Sequence, residues 1–205
     1  MTGIEFAILY AGWMVAGGSP GPATLSIAGT SMKYGRRAGI IFALGILAGS
    51  ACLGLAAASG MSAVMAANAW VFEILRYFAA AYLLFLAAKA LRSALSSDSA
   101  MLTKGHDGTL ARIFSRGLLI HLTNPKAIMT WGSIYAIVLP PGASTFDVFR
   151  LFILLYAGSI VIFIGYSLLF SSPRVVSGYK RMRRGFDIVF ATFFGGASLK
   201  LLTLN

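Results

Sequence analysis

A chain of 205 residues that is 58% hydrophobic and only 11% charged cannot hide its apolar surface inside one soluble core, so lipid must cover much of it. The formal net charge of +11 would suit nucleic acid if it formed one stripe, but the basic residues alternate between connections, which excludes that partner. A single cysteine, Cys52, excludes both a disulfide framework and a cysteine metal site.

A hydrocarbon core about 30 Å thick takes roughly 20 apolar residues of helix. Six such runs are expected, at residues 4–32, 38–59, 69–91, 117–139, 148–170 and 185–204. The expected class is therefore an all-α polytopic membrane protein. The amino-terminal stretch MTGIEFAILYAGW lacks a basic region and a cleavage site of small residues, and it reads as a permanent span.

That first run contains Pro20-Gly21-Pro22, preceded by Gly17, Gly18 and Ser19. Proline has no amide hydrogen and its ring crowds the carbonyl four residues back, so Pro20 and Pro22 should free the carbonyls of Ala16 and Gly18. Each proline also turns the preceding residue away from helix. Unsatisfied backbone in lipid is costly, so a break persists only where it faces protein or a watery cavity. A new half-helix is expected to begin at Pro22, with Ala23 and Thr24 in its first turn. Pro20 lies twelve residues before Met32, about 18 Å along a helix, which puts the break near the bilayer midplane.

The connection to the second run carries Lys33, Arg36 and Arg37. Gly45 and Gly49, four residues apart, form a small-residue face suited to close helix contact, with Gly35 and Gly39 before them at the same spacing. The third connection holds Lys89, Arg92, Lys104, Arg112 and Arg116, and the fifth holds Arg174, Lys180, Arg181, Arg183 and Arg184. These thirteen of the 17 basic residues lie in alternate connections, which the positive-inside rule places in the cytoplasm with both termini outside.

The polar segment 96–109 reads as a cytoplasmic linker between two sets of three spans, residues 1–95 and 110–205. Three is odd, so if the second set repeats the first, the two must be inverted. The fourth run echoes the first with Asn124-Pro125-Lys126, nine residues or about 14 Å from Gly117. Pro125 should free the carbonyl of His121 and open a second half-helix with Asn124 as its N-cap. The last runs also echo, with Lys89 and Lys200 in register.

Two half-helices starting at one depth bring their positive ends together. The expected substrate site is Ser19, Pro20, Gly21, Pro22, Ala23, Thr24, Asn124, Pro125, Lys126 and Trp131. It offers amides and an ammonium to a carboxylate and freed carbonyls to an amine, which suits a zwitterionic amino acid. A lysine this deep costs about 2.5 to 3.5 kcal/mol and ordinarily faces a cavity or a partner. His121 and Asp187 are candidates for proton coupling; a packing role for His121 and an interfacial ion pair for Asp187 stand beside that reading. Trp131 and Tyr135 could line a path, against packing for the tryptophan and interface anchoring for the tyrosine.

Pro20-Gly21-Pro22, the stretch KYGRRAGIIFALGILAG from Lys33 to Gly49, and Asn124-Pro125-Lys126-Ala127 together resemble the LysE/RhtB family of bacterial amino-acid exporters. Ala23 stands where members often carry asparagine, and His121 stands where an asparagine is common. The resemblance implies efflux across the bacterial plasma (inner) membrane driven by an ion gradient, with the proton as the expected coupling ion and a homodimer as an open expectation. No cofactor is expected. Hydrolase, phosphate-loop and zinc-peptidase motifs are absent from the sequence, so an enzyme is not expected. A metal-ion exporter would want converging carboxylates, histidines or thiolates at the midplane, and a structural membrane protein would not need two broken helices.

Overall fold

The computed structural model describes residues 3–67, 69–95, 108–140 and 143–203. They form seven helices: α1 (Gly3–Gly18), α2 (Pro22–Ala67), α3 (Ala69–Leu95), α4 (Leu110–Leu122), α5 (Pro125–Val138), α6 (Thr145–Leu169) and α7 (Pro173–Thr203). There is no strand among the described residues. The expected linker lies, as far as residue 107, outside the described residues.

Two helical stretches are long and apolar enough to cross a membrane by length and composition, Pro22–Gly60 and Thr145–Leu169; Ile4–Gly18 is apolar but shorter. The outer surface carries many bare apolar side chains, among them Ile8, Phe85, Leu119, Ile153 and Val161. In water such a surface would drive association, and in lipid it is solvated.

The first expected run is divided where the prolines require. α1 stops at Gly18, Ser19 to Gly21 are non-helical, and α2 starts at Pro22. α2 itself has a sharp kink at Gly35, whose φ of 82° is open to glycine and strained for other residues. Residues 22–34 and 36–67 are thus two arms of one hydrogen-bonded run. The fourth run is also divided, into α4 and α5, with Thr123 and Asn124 between them.

Small residues decide which helices touch. A Cβ on Gly45 would lie 2.1 Å from the Phe114 carbonyl oxygen, and one on Gly117 would lie 2.4 Å from the Phe42 carbonyl oxygen. The second arm of α2 therefore crosses α4 backbone to backbone, the close contact expected of the glycine face. α6 packs on α2 and on α1, where Gly158 admits Trp13 and Tyr10. α3 packs on α7 through Leu83, Leu86, Phe190 and Phe194, and the Ser198 hydroxyl donates to the Ala80 carbonyl at 2.9 Å. α5 contacts both α3 and α2, and α1 leans on α7.

Candidate functional site

The two new helices begin in the same way. In α2 the Leu25 amide donates to the Gly21 carbonyl at 2.9 Å, and in α5 the Ile128 amide donates to the Asn124 carbonyl at 3.1 Å. Gly21 and Asn124 are therefore equivalent caps, each followed by a proline at the first helical position, where a missing N–H costs nothing. The Asn124 side chain accepts from the Lys126 amide at 3.1 Å. At Gly21, which has no side chain, Thr24 supplies the cap: its hydroxyl accepts from the Gly21 amide at 3.0 Å.

The breaks meet. The Lys126 ammonium donates to the Ser19 carbonyl at 2.8 Å and also to the Ser19 hydroxyl, linking residues 107 apart in sequence. Lys126 does not snorkel to an interface; it bridges the start of α5 to the gap after α1. A lysine nitrogen has three hydrogens, so this bridge leaves one for a ligand.

The prolines free the expected carbonyls, but the protein itself occupies them. The Ser19 hydroxyl donates to Ala16 at 2.8 Å, the Tyr166 hydroxyl donates to Gly18, and the Asn124 amide donates to His121 at 3.1 Å. Each of these three carbonyls thus already has one donor, since hydroxyls and a turn amide lie within reach, and keeps a second lone pair. A different carbonyl is released. The Gly21 amide, which a continuous helix would aim at Gly17, is turned to Thr24, and Gly17 faces the cavity described next. The Lys126 amide is held by Asn124.

Around this junction lies a cavity of about 50 Å³. At roughly 30 Å³ for each water it has room for about two waters. Of the residues expected at the site, Gly21, Ala23, Thr24, Asn124, Lys126, Trp131 and His121 line it. Ser19 touches it through Lys126, while Pro20, Pro22 and Pro125 shape the backbone without lining it. Asp187 is buried on α7 and is not part of the lining.

Several lining residues were not anticipated: Trp13, Ala16, Ser50, Thr130, Ser159 and Phe163. The indoles of Trp13 and Trp131 meet at 4.5 Å between centroids with their planes tilted by 58°, and each donates to a serine hydroxyl, Trp13 to Ser159 at 3.3 Å and Trp131 to Ser50 at 3.1 Å. Lone serines in the middle of apolar runs were the available sign for Ser50 and Ser159. Trp13 lies seven residues before Pro20, two helical turns, on the face that carries Ala16 and Gly17. His121 is buried edge-on against Phe163, and its Nδ1 has no hydrogen-bond partner among the described residues. Tyr135 is fully buried and donates to the Gly54 carbonyl at 3.2 Å, so it is a core residue and not an interface anchor.

Discontinuous helices whose amino-terminal ends converge on a small, largely apolar cavity with a few polar groups, inside an apolar helical body, are the arrangement known from membrane transporters. The LysE type translocator family matches residues 14–205. The chain belongs to that family, which places it among transporters and not enzymes. It is 32% identical over 195 residues to a leucine efflux protein of Salmonella choleraesuis, covering 91% of this chain and 89% of that one. It is 27% identical over 186 residues to threonine efflux proteins of Salmonella typhi and Salmonella typhimurium, covering 90% of each chain. No solved structure matches it significantly.

Proposed function

We propose that the protein exports neutral amino acids, or closely related zwitterions, from the cytoplasm by alternating access around the cavity at the two breaks. The observation that carries this reading is the meeting of two helix amino termini with the Lys126 ammonium at one buried point. The first amides of a helix have no intrahelical partner, so Ala23, Thr24 and Ala127 offer N–H groups to a carboxylate beside the remaining Lys126 hydrogen. The Gly17 carbonyl is placed to accept from the substrate's ammonium. Ser19, Pro20, Pro22, Asn124 and Pro125 fix this geometry, and Trp131 walls it. The efflux relatives support the amino-acid class and the outward direction.

The packing supports an inverted repeat. Exchanging the first three expected spans for the last three turns the α2–α4 contact into α6–α1, while α3–α7 and α2–α6 map onto themselves. All of these pairs are in contact. The proton is the proposed coupling ion, with the unpartnered His121 Nδ1 in the cavity wall as its carrier; Asp187, buried on α7 and not in the lining, is left to a structural role. The plasma membrane with both termini outside is the proposed setting, and a homodimer the proposed assembly.

Reconstitution into proteoliposomes tests the reading. Accumulated leucine or threonine should leave down an imposed proton gradient faster than from protein-free vesicles, whereas divalent cations should not. Movement of metals and of no amino acid would refute it.

A further inference from the structure

α1 packs closely on α6, where Trp13 and Tyr10 meet Gly158, and on α7, where Gly12 meets Phe193, but the contact with α7 is the sparser of the two. Between that looser side and helices α5 and α7 lies a second cavity of about 630 Å³, far larger than the central one. On the same measure of roughly 30 Å³ for each water, it has room for on the order of twenty waters. Trp13, Ala16 and Thr130 wall both cavities, so a single layer of side chains separates them. Ser133 on α5 and Thr192 on α7 both line the larger cavity, and so does Glu5, at the end where α1 begins.

We propose that this larger cavity is a water-filled vestibule leading from the central site to the membrane face at which α1 begins, with Trp13 and Thr130 as its inner constriction. Three features carry the assignment: shared walls with the central cavity, a volume that admits a whole amino acid with its hydration, and a lining that is apolar apart from hydroxyls and one carboxylate. Such a lining suits a neutral zwitterion with a short side chain, since it offers no fixed cation to hold the carboxylate on its way past. The solute named here rests on the amino-acid reading of the central site; the vestibule itself rests on the geometry.

The experiment is thiol labelling in the full-length protein with Cys52→Ala as background. Ser133→Cys and Thr192→Cys probe the vestibule from α5 and α7, Ile153→Cys reports the lipid-facing surface of α6, where it is 65% exposed, and Ile4→Cys marks the face at which α1 begins. The charged, membrane-impermeant reagent attacks thiolate, and thiolate forms only where water reaches it, so both vestibule thiols should react at least about tenfold faster than Ile153→Cys. They should do so from the face that labels Ile4→Cys. Bulk at the constriction, Thr130→Trp, should stop transport while leaving Ser133→Cys reactive. Slow labelling at both wall positions, as for a lipid-filled or closed space, overturns the vestibule, as does labelling from the opposite face alone or parental transport by Thr130→Trp. Fast labelling that leucine and threonine fail to slow upholds the vestibule and counts against the amino-acid site, so the two failures are distinguishable.

Discussion

The bridge from the Lys126 ammonium to Ser19 gives one side chain two tasks, holding the breaks together and presenting positive charge to the cavity. Methionine at position 126 keeps most of the stem and removes the charge, so the two tasks can be separated by measurement. A hydrogen bond to a charged group contributes about 1.5–3 kcal/mol, and Lys126→Met should weaken amino-acid binding by roughly ten- to a hundredfold. An amino-acid amide, which lacks the carboxylate, should compete poorly with substrate in the parental protein and lose that disadvantage in Lys126→Met. Competition assays on both proteins check this; unchanged discrimination would leave Lys126 as a bridge only. Among individual residues, the sequence revealed the proline, lysine and asparagine because each contradicts a lipid-embedded helix. It concealed Trp13, Ser50 and Ser159, because an apolar aromatic and a small hydroxyl are ordinary in such helices and only their mutual approach gives them a role.

At the level of the helices, the breaks and the close crossing make opposite demands on side-chain size. Pro20→Ala restores a donor that can reach Ala16 and favours a continuous helix, and Gly21→Leu puts a Cβ 3.3 Å from the Lys126 side chain. Each should lower transport at least about tenfold, as a misplaced site does, with membrane expression near the parental amount. Transport at the parental rate by both would reduce the motif to a kink. At the crossing of α2 and α4 the neighbours of Gly45 are backbone atoms, which cannot rotate away. Gly45→Val should therefore destabilise the protein by about 1–3 kcal/mol, read as a lower unfolding temperature in detergent. Gly195→Ala is the matched control: its Cβ would lie 3.9 Å from Ala87, an ordinary contact, and the midpoint should hardly move. Both half-helix starts were legible in sequence, since Pro22 and Pro125 open α2 and α5. The kink at Gly35 was not, because nothing in a glycine's neighbours along the chain says whether its freedom is used.

For the whole molecule, the alternation of basic connections makes a topological prediction. Single cysteines in a Cys52→Ala background should place position 104 in the cytoplasm and positions 68 and 144 outside, by accessibility to an impermeant thiol reagent. Finding positions 104 and 68 on one side would overturn six spans. By itself the sequence determined that lipid is the solvent, that two helices are interrupted near the same depth, and that a charge sits at one interruption. Those follow from composition, from the missing proline N–H and from the number of residues between a motif and its flanking polar segment, all properties of the chain taken along its length. Only the tertiary structure decided that the two interruptions touch, that Ser19, Tyr166 and Asn124 occupy the freed carbonyls while Gly17 is released, and that Trp13 and Thr130 stand between a small cavity and a large one. Hydrogen bonding and cavity shape depend on distances between residues far apart in the chain, and helix packing sets those distances; no spacing along a single helix contains them.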